Sequence, residues 1–206
     1  MTIYVVRHGR TEANASGLLL GRADPDLDDV GRHQANLLAS AIPARAGTRV
    51  VSSPLRRCLA TARAVVAEVA GGEAGTGREP EVDRRLIELD YGEYDLRPLA
   101  EIPDHVWSQW RSDPGFRPPG GETLVELADR VGRLLDEVAS EAVDGDVVLV
   151  THVSPVKAAT AWALGVGIEL AWRSYVAPAS ITRIGITSRG PSLLSFNSDA
   201  HLAGPG

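Results

Sequence analysis

Residues Val147–Pro155 read VVLVTHVSP, and they carry the strongest indication of the fold class. Its first five residues, Val147–Thr151, form an apolar run without polar alternation, which is typical of a strand buried on both faces. His152 follows this run directly, and Pro155 suits the first turn of a helix through Ala158–Leu164. A buried strand that leads into a helix is the unit of a parallel sheet covered by helices, so the stretch indicates an α/β fold.

Two earlier segments repeat this order of strand and break. Ile3–Val6 runs into Arg7-His8-Gly9, and Arg49–Ser53 is broken at Pro54 before apolar residues at helical spacing. Both runs lack polar alternation, as Val147–Thr151 does. We therefore expect the three to be neighbouring parallel strands with helices on both faces of the sheet.

The remaining elements fit the same plan. Asp28 or Asp29 can cap a helix that reaches Ala41, and Thr123 can cap a long helix. The apolar residues of the long helix form one packing stripe: Leu124, Leu127, Val131, Leu134, Leu135 and Val138. Near the C-terminus, the apolar runs 181–187 and 193–196 flank a turn and predict a hairpin that adds antiparallel strands at a sheet edge.

The length of the chain fits one domain. Its 206 residues are enough to bury a large apolar core. The Gly-rich stretch Gly71–Gly77 is too short for a domain linker, and Tyr91–Pro119, rich in Pro and Trp, is typical of an insertion over the sheet. We expect residues 1–206 to form a single domain with 91–119 as its cap. Whether Trp107 and Trp110 pack in the core or form a lid stays open.

Composition excludes several classes of protein. Cys58 is the single cysteine, so no internal disulfide can form. The chain has 27 acidic and 21 basic residues, a net charge of −6, which does not indicate a nucleic-acid or membrane surface. Aliphatic runs fall far short of the roughly 18 residues of a membrane span, and Met1–Val6 does not resemble a signal peptide. We expect a cytoplasmic location; the sequence predicts no oligomeric state.

Cationic and imidazole side chains follow all three predicted parallel strands. Arg7 and His8 follow the first strand, Arg56 and Arg57 the second, and His152 the third. Ligands of open parallel sheets bind beyond the carboxyl ends of the strands, so these side chains converge if the strands are neighbours. Guanidinium and imidazole groups at one point form a phosphate site, and phosphoryl transfer there needs no metal ion.

The residues Arg7–Asn14, RHGRTEAN, resemble the opening signature of the histidine phosphatase superfamily, the phosphoglycerate-mutase-like proteins. Six more blocks follow in the order of that family: GRADPDLDDVGRHQA (21–35), SSPLRRCLATA (52–62), LIELDYGEYD (86–95), GGET (120–123), TH (151–152) and FNSDAHL (196–202). The chain departs from the family pattern at Arg10 and at Val153-Ser154. These departures concern the shape of the phosphate loop and the substrate preference.

The resemblance implies a role for each matched residue. His8 is the implied nucleophile, which accepts the phosphoryl group, and Glu88 is the implied proton donor to the leaving oxygen. The implied phosphate-binding residues are Arg7, Thr11, Asn14, Arg57 and His152. Three carboxylates close to Glu88 in sequence are alternative acids: Asp90, Glu93 and Asp95.

The leading hypothesis is a phosphatase that hydrolyses a small phosphomonoester through a phosphohistidine on His8, without metal ion or cofactor. One alternative is a cofactor-dependent phosphoglycerate mutase, whose family branch carries a longer and more basic insertion after the acid. Here 33 positions separate Glu88 from Gly121, and the cations between them are Arg97, Arg111 and Arg117. The other alternative is a non-catalytic phosphate-binding protein, which would have lost His8, Arg57 or the acid.

A thiol phosphatase does not fit. Such enzymes need five residues between the cysteine and the arginine of the phosphate loop, and four separate Cys58 from Arg63. We expect Cys58 to be a packing residue.

Overall fold

The computed structural model describes residues 1–43, 48–71, 78–141 and 145–203. In this part of the chain six strands form one sheet. The strands are β1 Thr2–Arg7, β2 Arg49–Ser52, β3 Glu81–Val82, β4 Val147–Thr151, β5 Ile181–Thr187 and β6 Gly190–Ser198. Their order is β3-β2-β4-β1-β5-β6, with the first four parallel and with antiparallel pairing of β1 to β5 and β5 to β6. The predicted fold class is confirmed.

Six α-helices accompany the sheet in the described residues. They are α1 Glu12–Ala15, α2 Asp29–Ala41, α3 Arg56–Val69, α4 Asp104–Ser112, α5 Leu124–Ser140 and α6 Val153–Leu164. Short 3₁₀ turns lie at Arg84–Leu86, Gly92–Tyr94, Leu99–Glu101, Ile168–Arg173 and Ala200–Leu202. None of the helices described is both long enough and apolar enough to cross a membrane.

The two predicted caps are present. Asp28 accepts a hydrogen bond from the backbone N–H of Gly31 at 2.7 Å and begins α2. Thr123 begins α5 in a reciprocal capping box with Glu126. The predicted stripe of α5 is confirmed, since all six of its apolar residues are buried.

Alternate residues of β1 explain why its sequence lacks polar alternation. Ile3 and Val5 belong to the core formed with α5 and α6, whereas Tyr4 and Val6 belong to the core formed with α2 and α3. Both faces of the strand are therefore buried, as predicted for a parallel sheet between two helical layers.

The segment 91–119 contains α4 and two of the 3₁₀ turns. Trp110 is 1% exposed, and its ring contacts those of Tyr91 and Phe116 edge-on, at centroid distances of 5.8 Å. Trp107 is half-buried beside it, with the two ring centroids 5.4 Å apart. Trp110 thus packs in the core. Of the predicted loop Gly71–Gly77, residues 72–77 lie outside the described residues.

Candidate active site

The carboxyl ends of β2, β4 and β1 lie side by side. Arg7 is opposite Thr151 in the sheet, and Ser52 is opposite Val150. The backbone N–H of His8 donates to the Thr151 carbonyl at 2.9 Å, so the residues after β1 and β4 remain paired beyond the strands. The expected convergence of the three strand exits is confirmed.

His8 is 2% exposed and lies at the centre of this region. Its Nδ1 is 2.6 Å from the carbonyl oxygen of Gly9, which can only accept a hydrogen bond. This contact holds the proton on Nδ1 and places the lone pair on Nε2, which the Nε–H of Arg57 approaches at 3.3 Å. Burial, and then the charges of Arg57 and Arg7, lower the pKa of His8 well below its ordinary value of 6.5. His8 is therefore a neutral imidazole whose Nε2 can act as a nucleophile.

Arg57 is fully buried between the two imidazoles. Its Nε is 3.3 Å from Nε2 of His8 and 3.2 Å from Nδ1 of His152. Its Nη1 and Nη2 donate to the carbonyl oxygens of Ala23 and Gly21, each at 2.7 Å. These bonds fix a positive charge next to His8.

The loop that receives Arg57 is itself held by a carboxylate. Both oxygens of Asp95 accept backbone N–H groups, from Gly21 and Ala23, at 2.7 Å. Asp95, an alternative acid by sequence, therefore anchors the residues whose carbonyls bind Arg57. This role was not predicted from the sequence, because Asp95 and Gly21 are 74 positions apart along the chain.

His152 is fully buried, and its ring lies 5.2 Å from that of His8. Its Nε2 is 2.8 Å from Oγ of Ser53 and 3.3 Å from Sγ of Cys58. Burial, followed by the charge of Arg57, lowers the pKa of His152 well below 6.5. Burial raises the pKa of the Cys58 thiol, so Cys58 is an uncharged packing group, as its sequence context predicts. Ser53, which orients His152, was missed at the sequence level.

Glu88 is 3% exposed, and its carboxyl group lies against the N-terminus of α6. Its Oε1 accepts from the backbone N–H of Leu89 at 2.7 Å and of Ser154 at 3.2 Å. Its Oε2 accepts from the N–H of Val153 at 3.0 Å. The first turn of a helix has N–H groups without helical partners, and here they orient the carboxyl group.

The backbone at Glu88 is clamped by two arginines. Its carbonyl oxygen accepts from Arg22 Nε at 2.8 Å and Arg130 Nη2 at 3.2 Å. Glu122 pairs with both arginines, at 3.2 Å and 2.7 Å, and its side chain is 15% exposed. The GGET block thus supports the position of Glu88, a role to which the sequence signal alone did not point.

One cavity of about 310 Å³ opens above these residues, and Arg7, His8, Asn14 and Glu88 are among those that line it. Nη1 of Arg7 donates to the Val176 carbonyl at 2.7 Å, whereas its Nε is buried without a partner in the described residues. Because Arg7 lines the cavity, its guanidinium group is placed beside a ligand bound there. A cavity of this size suits a small molecule.

The other predicted site residues are not among those that line the cavity. Arg57 and His152 lie next to His8. Thr11 is fully buried and caps α1, and its backbone N–H and its Oγ1 face Oδ1 of Asn14, at 3.2 Å and 3.0 Å. Oδ1 of Asn14 is occupied in this way, so its amide nitrogen is the group that remains for a ligand.

The model of the histidine phosphatase superfamily, branch 1, matches residues 3–199. The chain belongs to this superfamily. A putative phosphoserine phosphatase 2 of Hydrogenobacter thermophilus is 30% identical over 203 residues, 97% of this chain and 96% of the relative. A glucosyl-3-phosphoglycerate phosphatase of Mycolicibacterium vanbaalenii is 34% identical over 177 residues, 81% and 76% of the two chains.

A solved structure of a mycobacterial glucosyl-3-phosphoglycerate phosphatase complexed with VO3 superimposes with a TM-score of 0.84. It is 30% identical and covers 96% of this histidine phosphatase and 99% of its own chain. The resemblance stated from the sequence is confirmed. The prediction of a phosphoric monoester hydrolase is also confirmed at the level of the family and of its phosphatase-named members.

The burial of Arg57 leads to a stability prediction. Arg57→Leu would leave the carbonyls of Gly21 and Ala23 without their donors, at a cost of about 1–3 kcal/mol for each buried acceptor. We expect the melting temperature to fall by roughly 5–15 °C. The matched control is Arg56→Leu, because Arg56 is the adjacent residue and its side chain is 61% exposed in a surface pair with Asp26. We expect a change within about 1 kcal/mol for that variant; equal losses would contradict the structural role of Arg57.

Proposed function

We propose that this histidine phosphatase hydrolyses a small phosphomonoester in two steps, through a phosphohistidine on His8. In the first step Nε2 of neutral His8 attacks phosphorus, the P–O ester bond breaks, and Glu88 donates its proton to the leaving oxygen. In the second step Glu88 accepts a proton from water, whose oxygen attacks phosphorus and releases phosphate from His8. The observation that carries the proposal is that His8 and Glu88 line the same cavity, with the proton of His8 held on Nδ1 by Gly9.

Charge stabilisation is assigned to the surrounding residues. Arg7 brings its guanidinium charge to the cavity wall, and Asn14 offers its amide nitrogen there. Arg57 supplies a buried positive charge beside His8, and His152 supports the same pocket. Thr11 acts through Asn14, whose amide it orients. Fixed donors of this kind stabilise the charge of the transferring group.

We propose that the reaction needs neither metal ion nor cofactor, because the arginines supply the charge that a divalent ion otherwise provides. Within residues 1–43, 48–71, 78–141 and 145–203, no group of three or more His, Cys, Asp or Glu side chains could hold a metal ion. We expect kcat and KM to be unchanged in excess EDTA. Loss of activity on chelation, restored by Mg²⁺, would contradict the mechanism.

The phosphoglycerate mutase alternative is disfavoured by the contacts of three arginines. Arg97 lies over the ring of Tyr94, and Arg111 lies over the ring of Trp107, each at 5.8 Å. Arg117 pairs with Glu126 at 2.5 Å. The cations between Glu88 and Gly121 are thus engaged away from the cavity. The non-catalytic alternative is disfavoured because His8, Arg57 and Glu88 are all retained.

A panel of phosphomonoesters tests the proposed function. We expect metal-free release of phosphate from several small esters, with no conversion of 3-phosphoglycerate to 2-phosphoglycerate when 2,3-bisphosphoglycerate is added. Isomerisation faster than phosphate release would favour the mutase. Binding of orthovanadate without turnover of any ester would favour the non-catalytic protein.

The pKa of His8 gives a test that avoids titration of the substrate, whose phosphate group changes charge near pH 6. Burial and the neighbouring arginines disfavour the charged imidazole, so His8 stays neutral as the pH falls through 6.5 and becomes protonated only well below that value. We expect NMR spectra of ¹³C-histidine-labelled protein to show His8 and His152 as neutral imidazoles at pH 6.5 and above. Protonation of His8 with a midpoint at 6.5 would contradict the structure.

We further propose that residues 1–206 form one domain in which 91–119 caps the site. Tyr91 and Leu99 of this segment line the cavity, which supports the cap. A cytoplasmic location is also proposed; it agrees with the single, buried Cys58. The proposed partner is a small phosphorylated metabolite, not nucleic acid or a membrane.

A further inference from the structure

The cavity has two chemically different ends. Arg7, His8, Asn14 and Glu88 form the end where phosphoryl transfer is proposed. The remaining wall is almost wholly apolar or aromatic: Gly17, Leu18, Leu19, Leu20, Tyr91, Leu99, Val153, Tyr175 and Pro178. Of the cations in the described residues, Arg7 is the one that lines the cavity, and a bound phosphoryl group engages it.

Backbone pairing holds the apolar wall in place. Leu18 pairs with Pro98 as an antiparallel bridge, and the N–H of Leu19 donates to the Arg97 carbonyl at 2.8 Å. The N–H of Leu99 donates to the carbonyl of Gly17 at 3.0 Å. The leucines therefore project from two segments that are bonded to each other, and they form a fixed surface for the part of the substrate beyond phosphorus.

The mouth of the cavity continues this apolar character. Leu99 is 42% exposed and Tyr175 is 69% exposed, although both are large side chains. The hydroxyl group of Tyr91, another residue of this wall, is 3.3 Å from Oγ of Ser154 and is already hydrogen-bonded within the protein. Exposed apolar side chains at the rim of a pocket are typical of a surface that binds an apolar ligand.

The ammonium group of Lys157 does not supply a positive charge to the apolar wall. Lys157 lies in a separate small cavity, which shares Tyr91 and Val153 with the first. Its Nζ donates to the carbonyl of Ala171 at 2.6 Å, and burial lowers its pKa. A carboxylate on the substrate would therefore be desolvated against leucines and close to Glu88, with no counter-charge among the described residues of the wall.

We propose that the substrate is a phosphomonoester of an uncharged, largely apolar alcohol, such as an aryl-substituted or alkyl alcohol, rather than of a hydroxy acid. This inference rests on the proposed function and names its substrate class. It distinguishes the chain from relatives whose names refer to phosphoserine or to a phosphoglycerate derivative. The discriminating residues are those of the apolar wall, above all Leu18, Leu99 and Tyr175.

Two esters with matched leaving groups test the inference. 2-Phenylethyl phosphate and 2-(4-carboxyphenyl)ethyl phosphate release primary alcohols of similar acidity and differ in one remote carboxylate. We expect kcat/KM to be at least about tenfold higher for the neutral ester, because the carboxylate loses water without gaining a partner. Equal or higher efficiency with the carboxylate ester would overturn the inference while leaving the proposed function intact. Failure to hydrolyse either ester or p-nitrophenyl phosphate would overturn both.

A positive charge placed on the wall should reduce this preference for the neutral ester. Leu99→Arg changes an exposed side chain and is expected to raise kcat/KM for the carboxylate ester several-fold relative to the neutral ester. Val166→Arg is the matched control, since Val166 is 52% exposed beyond the C-terminal end of α6, about 18 Å along that helix from the site. An identical shift in both variants, or none in Leu99→Arg, would contradict the assignment of the wall to the alcohol.

Discussion

His8→Ala is expected to lower kcat by at least about 10⁴-fold, since removal of a nucleophile eliminates the covalent route. The imidazole makes its closest contacts with the Gly9 carbonyl and with Arg57, and alanine leaves those groups in place. Phosphate-site binding should therefore survive. We expect the Kd of orthovanadate, measured by calorimetry, to rise far less than kcat falls.

The control for this variant is His105→Ala, because His105 is exposed on α4. That substitution should leave kcat within twofold of the parent protein, about the effect of a neutral surface change. A loss of activity of only about 10²-fold, instead of the expected 10⁴-fold, would leave more than 1% of the parent activity in purified His8→Ala. That result would mean that another group attacks phosphorus.

Glu88→Gln is expected to have the second-largest effect, and its size should depend on the ester. Alkyl esters have poor leaving groups and should lose roughly 10²–10⁴ in kcat, the usual contribution of general acid catalysis. p-Nitrophenyl phosphate needs little protonation at its leaving oxygen and should lose much less. Equal losses on both types of ester would show that Glu88 is structural.

The surroundings of Glu88 make glutamine an imperfect replacement. Both carboxyl oxygens accept backbone N–H groups, so the amide nitrogen of a glutamine side chain there would face another donor. Thermal unfolding of the variant must be measured beside its kinetics, to separate this mismatch from loss of the proton. Glu93→Gln is the control: Glu93 is exposed in the same segment, and its replacement should affect neither ester.

The hydrophobic pattern of the sequence was sufficient to predict the strands that are buried on both faces and the long helix that is buried on one. β1 and β4 are uninterrupted apolar runs because both faces of each strand are buried, and α5 shows its stripe because only one side of it is buried, in the core that it shares with β1, β4 and α6. β3 was not predicted, since it is two exposed residues long and carries no periodicity. β6 begins at Gly190, three residues before the predicted strand, because edge pairing with β5 requires no apolar residue there.

The positions of the candidate site residues were predictable where a residue follows a strand or lies in a family block, as His8, His152 and Glu88 do. The contacts that hold these residues in place were not predictable from the sequence. Asp95 holds the loop that binds Arg57, Glu122 bridges the two arginines at Glu88, and Ser53 orients His152. Each contact depends on where a long connection crosses the end of the sheet. The course of such a connection cannot be predicted from residue spacing or composition.

Direct detection of the phosphoenzyme tests the central claim. Protein mixed with excess p-nitrophenyl phosphate is quenched in alkali, which preserves phosphohistidine, and is then digested and mapped by mass spectrometry. We expect one added phosphoryl group on His8, absent after an acid quench and absent in His8→Ala. A phosphoryl group on His152 or any other residue, or label undiminished in His8→Ala, would contradict it.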